Sequence, residues 1–268
     1  MLVSLRRAPR WTAAVAVGAM TAMIFSGCAS SGTSGSANEP PPEGTIVGVL
    51  VDQTCDASDD LREDGSEAVD IAMKGAASDS GTFIGEAVTT AEYQDGSADV
   101  IEHFASKKQG NSAKQRDLKR QAEKALESED LQAMMTPQTS NCGSDLVGAV
   151  AGLASTISDE QNAAERSKDV VFVTNGIVVD EERGWNFVRD SMTPEYTDTV
   201  IAALEKEGTL PDLAGASMTF VGLGDREPPI SAQKKVEIES FWAAFAEASG
   251  ANFRDIGNVS QLVVPSPS

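Results

Sequence analysis

The run Thr45-Ile-Val-Gly-Val-Leu-Val51, followed directly by Asp52-Gln-Thr-Cys-Asp56, indicates the fold class of this chain. A continuous apolar run rich in β-branched residues is typical of a strand that is buried on both faces of a sheet. Two later runs, 169–174 and 217–223, have the same character. The sequence therefore predicts a core of parallel strands, each followed by a polar or glycine-containing loop.

Segments with helical periodicity alternate with these strands. They span residues 67–77, 112–135, 145–157, 193–207 and 231–249, and a last strand is expected after the turn at Gly250. This alternation predicts a three-layer α/β fold, with helices on both faces of a mostly parallel, Rossmann-like sheet. The runs 82–90 and 98–104 flank the turn dipeptide Asp95-Gly96, which predicts a hairpin and one antiparallel edge strand.

The first 27 residues have the order of a bacterial signal peptide. Three arginines precede an uncharged, mostly apolar run (11–25) that is short for a membrane-spanning helix. The block Phe25-Ser-Gly-Cys28 resembles the bacterial lipobox, which implies cleavage before Cys28 and a lipid on that cysteine. We expect anchoring on the extracytoplasmic face of a bacterial cell membrane. An uncleaved anchor helix is the alternative.

Residues 28–44 predict a flexible tether between the lipid and a folded domain at 45–264. They are mostly Ser, Gly, Ala and Pro and contain no large apolar side chain, so they cannot form a core. Such a tether suits a domain that is displayed away from the lipid.

Net charge limits the partners of this chain. From Cys28 onward it contains 18 basic and 41 acidic residues, a net charge of about −23. This mean field excludes nucleic acid and does not attract anionic lipid headgroups, whereas it suits divalent cations or basic partners. The predicted helix 112–135 carries the densest basic cluster, which we interpret as a solvated face: Lys114, Arg116, Lys119, Arg120 and Lys124.

The residues that common enzymes need are scarce. His103 is the one histidine, and it lies on the predicted edge strand, away from the loops that follow the central strands. A single imidazole argues against zinc enzymes and against histidine-based triads. The chain also lacks a G-x-S-x-G motif and a Walker loop. We therefore expect no enzymatic activity.

Three polar segments lie at or beside the carboxyl ends of the predicted strands, where open α/β sheets bind ligands. They are Asp52-x-Thr54-x-Asp56, Gly143-Ser144-Asp145 and Thr174-Asn175-Gly176. In order and strand context they resemble the metal-ion-dependent adhesion site of von Willebrand factor A (VWA) domains, whose motifs are D-x-S-x-S, G-T-[DN] and T-D-G. The resemblance covers nearly all of residues 45–255.

The resemblance implies a divalent cation bound by Asp52, Thr54, Asp56, Ser144 and Asn175, with an open position for a carboxylate of a partner. Asp56 replaces a serine of the family motif, and Asn175 replaces an aspartate. Oxygen ligands of this kind suit Mg²⁺, Ca²⁺ or Mn²⁺. The implied function is that of a binding module for a protein or cell-envelope ligand.

Three alternatives stay open. The first is a VWA-like fold that no longer binds a metal ion at this site. Alternate residues from Asp52 to Asp60, together with Glu63, also match the ligand positions of an EF-hand loop, although Ala57 stands where that loop needs glycine. A solute-binding lipoprotein of a transport system is the third alternative, but such proteins normally need two lobes and a cleft.

The same resemblance places the two remaining cysteines close together. Cys55 lies in the first motif loop and Cys142 directly precedes the second, and these loops are neighbours in the family fold. Exported proteins commonly form disulfides. We therefore expect a Cys55–Cys142 disulfide that joins the two loops.

Overall fold

A six-stranded sheet forms the centre of the protein. The structure, a computed structural model, describes residues 43–54, 57–88, 99–137, 145–180, 183–225 and 228–264. The strands are β1 (Ile46–Asp52), β2 (Thr82–Val88), β3 (Val100–His103), β4 (Lys168–Val173), β5 (Val179–Asp180), β6 (Trp185–Asn186), β7 (Ser217–Val221) and β8 (Asn252–Ile256). β5 and β6 form a separate small hairpin, which the sequence patterns do not predict.

The strand order in the sheet is β3-β2-β1-β4-β7-β8, and each neighbouring pair is parallel except β2 and β3. Every residue of β1 is buried, because the strand lies between two neighbours and helices cover both of its faces. The predicted mostly parallel sheet with one antiparallel edge strand is confirmed.

Helices cover both faces of this sheet. They are α1 (Asp59–Ser78), α2 (Asn111–Leu126), α3 (Glu129–Met134), α4 (Leu146–Asp159), α5 (Pro194–Glu207) and α6 (Ala232–Ala248), with short 3-10 helices at Ala163–Glu165 and Val259–Gln261. On one face α1, α2 and α3 pack around Val47, Val49 and Val51. On the other face α4, α5 and α6 pack around Ile46 and Leu50. Alternating side chains of β1 thus enter two separate cores, and the predicted three layers are confirmed.

Two helices differ from their predicted bounds. α1 begins at Asp59 rather than at residue 67, because Ser58 caps it by accepting a hydrogen bond from the N–H of Leu61 at 3.1 Å. Its acidic first turn suits a helix N-terminus but shows little apolar periodicity. The predicted helix 112–135 is two helices, because the Ser128 hydroxyl caps a second one by accepting from the N–H of Leu131 at 3.3 Å.

The parallel strands all end at one edge of the sheet, here named the carboxyl edge, and all begin at the opposite amino edge. Asp52 and Val173 lie at the carboxyl edge, and Ile46 and Lys168 at the amino edge. His103 is also at the amino edge, since β3 is antiparallel and His103 pairs with Thr82.

The predicted signal peptide, Cys28 and the tether up to residue 42 lie outside the described residues. In the ranges that the structure does describe, no helix has both the length and the apolar character needed to cross a membrane.

Candidate functional site

Asp52 is the last residue of β1, and it is 1% exposed. Its Oδ1 accepts hydrogen bonds from the backbone N–H of Thr54 at 3.0 Å and from the Thr54 hydroxyl at 2.6 Å. Its Oδ2 accepts a third from the Thr174 hydroxyl at 2.9 Å. A buried carboxylate is stable only when donors of this kind compensate the loss of water. The three donors therefore hold the Asp52 carboxylate in one orientation.

Thr174 joins β1 to the neighbouring strand β4. It directly follows β4 and is fully buried, and its Oγ1 accepts a hydrogen bond from the N–H of Gly176 at 3.1 Å while donating to Asp52. β2 lies on one side of β1, and the next parallel strand, β4, lies on the other. The chain thus adds its strands first on one side of β1 and then on the other. In open α/β sheets such a reversal leaves a crevice beyond the strand ends, and ligands bind in it. Asp52 and Thr174 flank that position.

Asn175 presents a hydrogen-bond donor at this edge. Its Oδ1 accepts a hydrogen bond from the N–H of Ile177 at 2.9 Å, and this bond defines which end of the amide is oxygen. Its Nδ2 is buried and has no hydrogen-bond partner in the described part of the chain. Its backbone carbonyl accepts from the N–H of Gly224 at 2.8 Å. The side-chain NH₂ group is therefore the part of Asn175 whose hydrogen-bonding capacity is unused.

An aromatic cluster supports the turn that carries Asn175. Trp242 of α6 donates from Nε1 to the carbonyl oxygen of Gly176 at 2.9 Å. Its ring lies 5.1 Å from the rings of both Phe220 and Phe245. The backbone of Gly176 has φ +73°, and a Cβ there would lie 2.4 Å from Cδ2 of Leu223. Glycine is therefore required both for the conformation and for the space.

Gln53 is a buried polar residue at this edge that the sequence analysis does not identify. It is 1% exposed, and neither Oε1 nor Nε2 has a hydrogen-bond partner in the described ranges. Its position between Asp52 and Thr54 continues an apolar strand, and no sequence signal distinguishes it. Buried amides without partners are uncommon. The Gln53 amide and the NH₂ group of Asn175 thus lack partners in the segments that flank one buried carboxylate.

The structure brings three of the five predicted metal ligands, Asp52, Thr54 and Asn175, to the carboxyl edge. The other two, Asp56 and Ser144, lie outside the described residues, as do Cys55 and Cys142. The neighbouring Asp145 begins α4, where its Oδ1 accepts a hydrogen bond from the N–H of Gly148 at 2.8 Å.

The described part of the site fits a divalent cation in its donor chemistry. The hydroxyl oxygens of Thr54 and Thr174 each lie within hydrogen-bond distance of the Asp52 carboxylate, and carboxylate and hydroxyl oxygens are ligands that Mg²⁺ and Ca²⁺ prefer. Among the described residues, no group of three or more His, Cys, Asp or Glu side chains is arranged to hold a metal ion. The second predicted carboxylate, Asp56, is outside that set.

The EF-hand alternative does not fit this segment. A strand, β1, enters the loop where an EF-hand has a helix. Ser58 caps α1, and Asp60 and Glu63 lie inside that helix rather than in a coordinating loop.

The carboxyl edge also carries a concentration of negative charge. In the segment 59–70, α1 has one basic residue, Arg62, and six acidic residues: Asp59, Asp60, Glu63, Asp64, Glu67 and Asp70. Burial raises the pKa of Asp64, and the nearby carboxylates of Glu67 and Asp225 raise it further. Arg62 donates to Asp59 Oδ1 at 2.9 Å and to the carbonyl oxygen of Thr54 at 3.2 Å. This edge therefore favours cations and basic groups.

His103 does not belong to this site. It lies at the amino edge, where its Nε2 is 2.9 Å from Oε2 of Glu160. The histidine thus takes part in an ion-pair network at the opposite end of the sheet.

The comparisons with protein-family models and with curated proteins gave no match.

Proposed function

We propose that this protein is a lipid-anchored binding module of the bacterial cell envelope. Its VWA-like domain binds a protein or an envelope ligand at the carboxyl edge and catalyses no reaction. A lipid on Cys28 and the tether 28–44 attach the domain to the extracytoplasmic face of the membrane.

The hydrogen bond from Thr174 to Asp52 is the observation that supports this proposal. It places a buried, oriented carboxylate where the strand order reverses, which is the position that open α/β folds use for ligands. The Gln53 amide and the NH₂ group of Asn175 add unused hydrogen-bonding capacity at the same edge.

A divalent cation is the expected cofactor of this site. Asp52, Thr54, Asp56 and Ser144 are its proposed direct ligands, Asn175 is proposed to contact the partner rather than the cation, and the cation supplies a positive charge for a carboxylate of the partner. Since Oδ1 of Asn175 accepts from Ile177, we infer that Asn175 contributes its NH₂ group by donating to that carboxylate. Asp52 orients the Thr54 and Thr174 hydroxyls and keeps the site negative.

Isothermal titration calorimetry of the full chain with Mg²⁺ and with Ca²⁺ tests the proposed site. We expect binding to the wild type and its loss in Asp52→Asn, which removes one charge and keeps the side-chain shape. Asp79→Asn is the matched control, because Asp79 accepts the same kind of bonds at the amino edge, from the N–H and the hydroxyl of Thr45 at 2.8 and 2.7 Å.

Circular dichroism of each variant establishes that it is folded. If Asp52→Asn does not fold, Thr54→Val removes a proposed ligand without a change of charge and serves in its place. Wild-type protein that binds neither cation, or a folded site variant that binds as well as Asp79→Asn, would contradict the proposed cation site.

A further inference from the structure

Two segments at opposite ends of the strands carry opposite net charge. The acidic segment 59–70 begins α1 at the carboxyl edge. The segment 104–118 instead contains one acidic residue, Asp117, and four basic ones: Lys107, Lys108, Lys114 and Arg116. We name these four residues the basic corner. None of them forms an ion pair within the described part of the chain.

The basic corner lies at the amino edge. β3 ends there, and Phe104 then donates from its N–H to the carbonyl oxygen of Gly81 at 2.9 Å. The Gln115 side chain donates from Nε2 to the carbonyl oxygen of Ser78 at 3.1 Å. These bonds connect the corner to the turn between α1 and β2.

The predicted tether joins the domain at the same turn. Gly44, its last residue, donates from its N–H to the carbonyl oxygen of Ser80 at 3.3 Å. The buried side chain of Arg166 donates from Nε to the carbonyl oxygen of Gly44 at 2.6 Å and from Nη2 to Oγ1 of Thr82 at 2.8 Å. The chain therefore leaves the domain at a defined point, next to the basic corner.

We propose that the basic corner docks on the anionic lipid headgroups of the membrane to which the chain is anchored. This docking directs the carboxyl edge away from the membrane, toward ligands. The inference rests on the proposed lipid anchor, since the tether keeps the corner close to the headgroups and makes a weak attraction sufficient.

The negative net charge of the domain does not prevent this contact. Charges in physiological salt are screened over about 8 Å, whereas α1, with 20 residues, is about 30 Å long. The acidic end of α1 is thus several screening lengths from a surface that touches the amino edge. The exposed carboxylates Asp159, Glu165, Glu205, Glu207, Asp212 and Glu247 also lie at the amino edge, but on the side of the sheet that carries α4, α5 and α6, opposite to α2. Near the corner, Asp117 pairs with Arg120 at 2.9 Å, Asp79 lies close to Arg166, and Glu43 offsets one of the four basic charges. The attraction to lipid is therefore confined to the α2 side of the amino edge.

Lysine footprinting of the anchored protein tests the orientation. The full chain, processed and acylated in a bacterial host, is reconstituted into vesicles of phosphatidylcholine, alone or mixed equally with phosphatidylglycerol. We expect an amine-reactive ester to modify Lys107 and Lys108 about fivefold more slowly on the anionic vesicles. Lys235, which contacts Gly224 at the carboxyl edge, should react equally on both, and high salt should abolish the difference.

Two charge-matched double variants provide the control. Lys107→Glu combined with Lys108→Glu should remove the protection of Lys114. Lys235→Glu combined with Arg254→Glu changes the net charge by the same amount at exposed sites elsewhere, and it should leave Lys114 protected.

Vesicle flotation separates the docking from the anchor. Protein that floats with both kinds of vesicle but shows no protection of the corner overturns the docking and leaves the anchor standing. Protein that floats with neither kind overturns both.

Discussion

The hydroxyl of Thr174 donates a hydrogen bond of 2.9 Å to Oδ2 of Asp52 and so joins the carboxyl ends of two adjacent strands. Both residues are buried, and Thr174 also accepts a bond from Gly176. This one contact orients the proposed ligand carboxylate and positions the turn that carries Asn175. The stability of the fold and the geometry of the site therefore depend on the same atoms.

Replacing Thr174 by valine tests this coupling. Thr174→Val keeps the shape but leaves Asp52 Oδ2 and the N–H of Gly176 without this partner, so the free energy of unfolding should fall by about 1–3 kcal/mol. Thr174→Ser restores the hydroxyl and should recover most of the loss. Thr156→Val is the control, because its hydroxyl binds only the Gly152 carbonyl of its own helix at 3.1 Å. Urea unfolding measures all three, and equal losses in the two valine variants would refute the coupling.

Substitution of Gly176 tests the turn that carries Asn175. Gly176→Ala should be strongly destabilising, because its Cβ would lie 2.4 Å from Leu223 and 2.9 Å from Trp242 at a positive φ. Gly208 has nearly the same φ, +71°, with no atom within 4 Å of a Cβ. Gly208→Ala should therefore cost about 1 kcal/mol for the backbone conformation alone. Gly176→Ala should cost about 1–3 kcal/mol more, from overpacking.

Thermal and urea unfolding compare the two alanine variants directly. Similar stabilities would mean that the turn after β4 moves freely to accommodate a methyl group. The turn would then not hold Asn175 as described above.

The pH dependence of stability should reveal the network at the amino edge. Burial raises the pKa of Glu160, but the hydrogen bond and charge of His103, together with Arg166, outweigh it and leave the pKa below the ordinary 4.5. The ionised carboxylate therefore stabilises the fold fully above pH 4.5, and this stabilisation is lost as the pH falls through the lowered pKa.

Glu160→Gln should lower the free energy of unfolding at neutral pH and flatten its fall under acid conditions. Glu165→Gln, at an exposed carboxyl nearby, should change neither quantity measurably. Urea titrations between neutral and strongly acidic pH provide the comparison. If the free energy of unfolding of Glu160→Gln fell under acid conditions as steeply as that of the wild type, the ion pairs of Glu160 would not stabilise the fold.

The cysteines allow a chemical test of the proposed VWA-like arrangement. Peptide mapping of the exported protein without reductant should find Cys55 linked to Cys142, closing a loop of 87 residues. In the chain-entropy model such a link stabilises the fold by about 4–5 kcal/mol, and measured values are commonly smaller. Recovery of both residues as free thiols would contradict the disulfide and weaken the proposed likeness to VWA domains.

Much of the architecture follows from local sequence patterns. The apolar run of β1 predicts its burial on both faces, and Pro194 and Gly208 mark the two ends of α5. The turn-forming dipeptide Asp95-Gly96 predicts the antiparallel edge strand that β3 forms. These features are readable because burial, helix ends and turns depend on residues that are close together in the chain.

Other local features are not predicted, because their sequence signals are weak. Ser128 begins α3 by a single side-chain hydrogen bond, two residues after α2 ends, in a segment whose composition favours helix throughout. Gln53 is buried, although its polar side chain gives no indication of this.

The site itself depends on contacts that no local pattern contains. Asp52 and Thr174 are 122 residues apart, and their bond exists because β1 and β4 are adjacent, parallel and in one particular register. The tether junction likewise needs Arg166 to reach Gly44 over the same separation. Composition and periodicity specify which segments become buried strands and helices. The order in which those strands pair arises from the packing of the whole chain, and it places these polar groups together.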